Sequence, residues 1–169
     1  MLLGLAAIAV AQSDSAKPEA KPTPGVLAAA DAHRLIPPSF FYAGQTAPVQ
    51  SRNSGAYRSA NGKLMLAALV DNSGYSSAIA EKYQGFIATD GKIKIGGKEL
   101  SPGAYGIGAL ADGSFVVTDL GANTLFSVTF ENDAELKRPV PLKFVQQGTS
   151  VRLYLGRRFV TVETATEGQ

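Results

Sequence analysis

The chain has 169 residues, 45% of them apolar and 18% charged, with a formal net charge of +2. That composition suits one ordinary domain with a packed core and excludes wholesale disorder. With no cysteine, no tryptophan and one histidine, the chain lacks the means for disulfides, thiolate nucleophiles, cysteine-ligated zinc or a histidine-rich metal site.

The charge excess is too small to argue for nucleic acid or an anionic membrane as partner. Leu2 to Ala11 is an uncharged apolar run ending Ala9-Val10-Ala11. It falls short of the roughly 20 residues that a membrane-spanning helix needs. Small residues at Ala9 and Ala11 fit a signal-peptidase site, although the cationic start of a signal is missing. A truncated signal and a buried element of the domain are the two readings. The Ser, Lys, Glu, Ala and Pro of Gln12 to Pro24 favour the first, because such a stretch buries too little to offset its ordering entropy. The expectation is a signal peptide over 1–11, a flexible tether over 12–34, a domain over 35–163 and a disordered tail over 164–169. It places the protein outside the cytoplasm, periplasmic or extracellular, with no stable membrane span after processing.

Gly25 to Arg34 can hold a helical turn, which Pro37 and Pro38 stop. Ser39 to Tyr42 reads as an edge strand. Residues 43–62 read as loop with one irregular strand around Val49 to Tyr57. Leu64 to Val70 is a continuous apolar run closed by Asp71-Asn72-Ser73-Gly74, as a buried strand requires. Ser77 to Tyr83 is the one short helix, with Ser77 as N-cap and Gly85 as a C-terminal cap. Strands follow at Phe86 to Thr89, Lys92 to Ile95, Ala104 to Leu110, Ser114 to Leu120 and Leu125 to Phe130, punctuated by Asp90-Gly91, Gly96-Gly97 and Asp112-Gly113. Pro139 and Pro141 alternate with Val140, Leu142 and Phe144, which marks an edge strand or the start of one. Val151 to Leu155 and Phe159 to Glu163 complete the pattern. Seven to nine short strands with turns between them predict an all-β antiparallel sandwich or barrel. The spacing is too short for parallel crossovers.

The chemistry legible in these residues is sparse. His33 has no acid or nucleophile patterned near it and reads as a surface residue. Glu131, Asp133 and Glu135 alternate between two strands. They lack the glycine and the ligand periodicity of an EF-hand loop and read as a solvated connection. Two facing carboxylates for glycoside hydrolysis can be drawn from Asp71, Asp90, Asp112, Asp119 and Glu163, but no spacing selects a pair. Gly103, Gly106 and Gly108 precede a strand, whereas a phosphate cradle needs a helix. Tyr105, Ile107 and Ala109 face one way and leave Ala104, Gly106 and Gly108 as a nearly bare face. Such a face either packs closely under another layer or forms a shallow groove. On the groove reading the ligand-binding candidates are Tyr105, Gly106, Gly108 and the tyrosine of the polar stretch, Tyr75. No catalytic residue, metal ligand or cofactor is assigned.

The segment IKIGGKELSPGAY from Ile93 to Tyr105, the GIGALADGSFVVTDLG that follows and the later Leu136-Lys137-Arg138-Pro139-Val140-Pro141-Leu142 carry a resemblance. Over about residues 93–142 the chain resembles an uncharacterised family of exported bacterial β-proteins known only as a domain of unknown function. The resemblance implies an exported β-sandwich and supplies no activity or site residues. The combined expectation is a non-enzymatic exported domain that binds a partner protein or an envelope polymer, with strand addition at the edges near Phe40 and Val140. A small-molecule or carbohydrate-binding module and a carboxylate-dependent hydrolase are the alternatives.

Overall fold

The computed structural model describes residues 23–164. The expected signal, the first part of the tether and the end of the tail lie outside the described residues. The elements in chain order are β1 (Gly25–Val26), α1 (Ala29–Leu35), β2 (Ser39–Tyr42), β3 (Gln45–Arg58), β4 (Leu64–Val70), α2 (Ser77–Ala80), β5 (Gly85–Thr89), β6 (Ile93–Ile95) and β7 (Lys98–Leu100). They continue with β8 (Gly103–Ala109), β9 (Ser114–Thr118), β10 (Thr124–Thr129), β11 (Glu131–Asn132), β12 (Val140–Gln147), β13 (Ser150–Gly156) and β14 (Arg158–Thr164).

The strands form two antiparallel sheets packed as a sandwich, so the barrel alternative falls away. One sheet runs β1-β3-β4-β5-β8-β9-β10, with β2 paired to β3, and the other runs β12-β13-β14-β6-β7, with β11 paired to β14. Alternation decides what each face meets. Met65, Ala67, Ile87, Ile107, Phe115 and Val117 of the first sheet meet Leu142, Phe144, Val151, Leu153, Val160, Val162, Ile93 and Ile95 of the second in the main core.

The outer face of the first sheet carries a second, smaller core. Ala68 and Val70 of β4 and Phe86 of β5 lie there beneath Tyr42, Tyr75 and Tyr83. A third layer, made of the β2–β3 hairpin and the α2 segment, therefore covers this sheet. This accounts for the unbroken apolar run of Leu64 to Val70: both faces of β4 are buried, so alternation with polar residues is lost.

Three local expectations are corrected. Residues 45–58, expected to be mostly loop, form one long strand. Its first part pairs with β2 and its second part with β4, with a bulge between Gln50 and Ser54. There the Ser54 hydroxyl donates to the Ser51 carbonyl and Asn53 Nδ2 to Gln50 Oε1. Pairing on two sides overrides a Gly/Ser/Asn composition that disfavours strands. The second helix spans only Ser77–Ala80, follows Ser76 without a side-chain cap, and leaves Gly85 to open β5. Last, order begins before Leu35. β1 pairs with β3 through Gly25↔Arg58, and α1 buries Ala32.

The hairpin between β2 and β3 turns through Ala43 (φ 47°) and Gly44 (φ 82°). Left-handed backbone at both positions matches the twist of a two-residue hairpin loop. The Ala43 N–H donates to the Leu120 carbonyl at 2.8 Å, which ties the hairpin tip to the turn after β9.

Candidate functional site

Gly106 and Gly108 lie on β8 with the bare face outward, as alternation requires, and that face is occupied by the chain's own third layer. A methyl group at Gly106 would fall 2.5 Å from Thr118 Oγ1 and 2.9 Å from Tyr42 Cζ, and one at Gly108 would fall 2.5 Å from the Lys82 carbonyl oxygen. Close approach of another layer is what these glycines permit. Tyr105 sits on the opposite face, against the main core, and donates to the Ser101 carbonyl. Tyr75 is buried and donates to the carbonyls of Tyr42 and Gln45. The structure thus brings Tyr75 and Gly106 to the same covered face, through Tyr42, and places Tyr105 on the other side of the sheet.

The third layer is held by three tyrosines. The rings of Tyr42 and Tyr83 stack with centroids 3.8 Å apart, and Tyr75 meets Tyr83 edge-on at 5.2 Å. Tyr42 Oη and Thr118 Oγ1 share a hydrogen bond of 2.6 Å. Tyr83 Oη is buried without a hydrogen-bond partner. Burial pushes all three phenols above their ordinary range. The sign follows from linkage: each phenol stays neutral in the folded state while its unfolded counterpart ionises near pH ~10. The stability they contribute is complete below that pH and is lost as pH rises through the folded values. Phenolate absorbance from these tyrosines should therefore appear together with loss of β-sheet dichroism; their ionisation in a folded protein near pH 10 would contradict the burial. Tyr83→Phe removes the unpartnered hydroxyl. It should leave stability unchanged or raise it by about 1 kcal/mol, as read by urea unfolding; a loss of that size would mean the hydroxyl has a partner.

Of the carboxylates named as possible catalytic pairs, Asp71, Asp112 and Asp119 hold turns, and Asp90 ties the turn after β5 to the start of β4. Asp71 Oδ1 accepts from the Ser73 N–H, Asp112 Oδ1 from the Ser114 N–H and Asp90 Oδ1 from the Leu64 N–H. Asp119 accepts from the N–H groups of Gly121 and Asn123 and from Asn123 Nδ2. Hydrogen bonds from Ser73, Ser114 and Asn123 hold Asp71, Asp112 and Asp119 below the usual carboxyl range, the reverse of what a general acid needs. Glu163 is exposed and lies opposite Lys94. Asp133 accepts from Tyr154 Oη at 2.7 Å, and Glu131 from Thr161 Oγ1. Among the described residues no three His, Asp or Glu side chains are grouped to hold a metal ion. His33 is exposed on α1.

The edges of the sheets differ in what they offer. β12 ends its sheet, as its prolines require, but runs beside β3 of the other sheet. A methyl group at Gly55 of β3 would fall 2.9 Å from Phe144 Cδ2. β2 is engaged by β3 and through Tyr75, and Phe40 stacks on Phe86 at 4.3 Å. β10 is different: it pairs with β9 on one side and terminates its sheet on the other. The Phe130 N–H bonds the Gly113 carbonyl across to β9. Two-residue alternation then turns the N–H and C=O of Ser127 and Thr129 to the open side. Phe126 and Val128 pack on the main core, whereas Leu125, Ser127 and Thr129 are exposed. Leu125 is 47% exposed, Leu120 in the preceding turn 39%, and Phe41 at the hairpin tip 57%. The Ala43–Leu120 hydrogen bond sets the hairpin tip against that turn.

No helix among the described residues is long and apolar enough to cross a membrane. No family model, curated protein or solved structure matches the chain.

Proposed function

We propose that this is a non-catalytic binding domain that takes an extended segment of a partner protein as an added strand on β10. The observation that carries the reading is the open edge at Ser127 and Thr129, with backbone donors and acceptors facing outward beside the exposed Leu120 and Leu125. Strand addition supplies main-chain hydrogen bonds, and flanking apolar side chains supply selectivity. The backbone N–H groups that Asp71, Asp90, Asp112 and Asp119 already accept favour this reading over a carboxylate-dependent hydrolase. The apolar run of Leu2 to Ala11 and its Ala-Val-Ala ending support a working place outside the cytoplasm, periplasmic or extracellular. An envelope protein is then the partner to seek, and an envelope polymer the alternative.

Ser127→Pro tests it. Proline at 127 removes an outward N–H and leaves the β9 ladder whole, so the domain should keep its β dichroism. A partner captured from an envelope extract by the unaltered protein should bind the variant about tenfold or more weakly, a loss of about 1.4 kcal/mol. Binding should also slow amide exchange at Ser127 and Thr129. Equal capture by the variant, or a partner that leaves those amides unprotected, would refute strand addition.

A further inference from the structure

At the end of the sandwich where β5 turns into β6, a cavity of about 90 Å³ lies between the two sheets. Met65 and Thr89, paired across β4 and β5, wall it on the side of the first sheet. Ile93 and Thr164, paired across β6 and β14, wall it on the side of the second. Alternation sends all four side chains between the sheets. Met65 and Ile93 belong to the main core, and Thr89 and Thr164 lie two residues beyond its Ile87 and Val162. Ser59 joins them, and the surface inside is mostly aliphatic. Met65, Ser59 and Ile93 are no more than 2% exposed, so the cavity is an extension of the core, open to solvent at one mouth.

The buried polar groups around it are already engaged. The Ser59 hydroxyl faces Asn61 Oδ1 and the Lys63 carbonyl. Thr89 Oγ1 donates to the Gly91 carbonyl and accepts from the Gly91 N–H. Both hydroxyl protons are thus spent on the turns that follow β3 and β5, and neither turn needs a guest to satisfy it. Lys63 and Lys92 stand at the mouth, and both are exposed. A methyl group at Gly91 would fall 3.0 Å from Lys63 Cβ and 3.1 Å from Cγ, so the Lys63 stem lies along the rim. Such a stem adds aliphatic surface while its charged head stays in water.

From aliphatic walls, engaged hydroxyls and a mouth between the sheets, we infer that this cavity binds a compact, uncharged apolar molecule. One water needs about 10–15 Å³, and an apolar cavity of about 150 Å³ takes benzene. The space here lies between those limits and suits a guest of about four to six carbon atoms. Met65 and Ile93 supply the dispersion contacts that an empty cavity forfeits. A polar guest would leave its water for walls with no unspent buried donor, which selects against it. The inference is independent of the β10 edge, because the cavity belongs to β4, β5, β6 and β14.

Cyclopentane is the probe, with sodium isobutyrate as a charged comparison of similar size. Cyclopentane should raise the melting temperature of the full chain, because a ligand that binds only the native state stabilises it. It should also move the methyl signals of Met65 and Ile93 and the amide of Thr89 together along one saturation curve. Isobutyrate should do both far less; a response to it as strong as that to cyclopentane would show that the lysine heads govern binding. Thr164→Phe places a ring in the cavity from the end of β14 and should weaken the cyclopentane response at least tenfold. Should Thr164→Phe not fold, the chemical shifts of the unaltered protein decide alone. No response to cyclopentane, shifts confined to other regions, an equal response to isobutyrate, or an unchanged response in folded Thr164→Phe would each overturn the assignment.

Discussion

Gly108→Val is expected to lower the melting temperature by roughly 10 °C, about 3 kcal/mol for a domain of this size. The reason is steric and local. The first added carbon would sit 2.5 Å from the Lys82 carbonyl oxygen and 2.7 Å from its carbon. Both atoms are backbone, so no side-chain rotation relieves the overlap. Either the segment after α2 lifts from β8 or β8 is displaced from β5 and β9, its partners on either side. Lifting that segment also pulls Tyr83 from its stack with Tyr42. Gly74→Ala is the matched control. Gly74 has nothing within 4 Å of its added carbon and no left-handed backbone, so its change should stay within about 0.5 kcal/mol. Thermal melts of the two variants decide the matter. A Gly108→Val protein as stable as the control would mean that the face is open, as a ligand groove would be.

Removing the Tyr42 ring has a comparable effect for a different reason. Tyr42→Ala should cost about 3–5 kcal/mol, the usual range for deleting a buried aromatic side chain. The ring lies over Gly106, stacks on Tyr83 and meets Tyr75 edge-on at 6.1 Å. Without it the hairpin loses its grip on the first sheet. Tyr42→Phe separates the hydroxyl from the ring. It leaves Thr118 Oγ1 buried without its partner and should cost about 1–3 kcal/mol. Adding Thr118→Val to Tyr42→Phe removes both halves of the hydrogen bond and should restore most of that loss. Urea unfolding of the three proteins separates packing from hydrogen bonding. If Tyr42→Ala and Tyr42→Phe cost the same, the ring does not hold the layer and the account of it is wrong.

Much of the sandwich is written in local pattern. Leu125 to Phe130, Val151 to Leu155 and Phe159 to Glu163 show two-residue alternation because one face meets the core and the other meets water or charge. Asp112-Gly113 marks a turn because Asp112 accepts the Ser114 N–H there, and at Asp90-Gly91 the local acceptor is Thr89 Oγ1, which takes the Gly91 N–H. The third layer was less legible. Its presence is hinted by the unbroken run of Leu64 to Val70 and by the bare face of Gly106 and Gly108, but neither says what lies above. Tyr42 and Thr118 are 76 residues apart, and no local periodicity links them.

The long β3 was hidden for the same reason, since its polar composition is offset by partners distant in sequence. Edges are harder still. Pro139 and Pro141 marked β12 as an edge, because proline cannot donate to a ladder. That this edge lies beside β3, while β10 stays open, is decided by strand order. Likewise, no local pattern singles out Arg158. Its place over Phe130, in a cleft between sheets, depends on how β11 and β14 pair.

Site-resolved amide hydrogen exchange of the isolated domain tests the arrangement of the sheets most directly. Protection follows hydrogen bonding and burial. The amides of Val128 and Phe130, which face β9, should exchange slowly together with those of Ile87, Ile107 and Val117. The amides of Ser127 and Thr129 should exchange at near-open rates. Strong protection at Ser127 and Thr129 would show a further strand or copy already paired there, contradicting both the strand order and the open edge on which the proposed function rests.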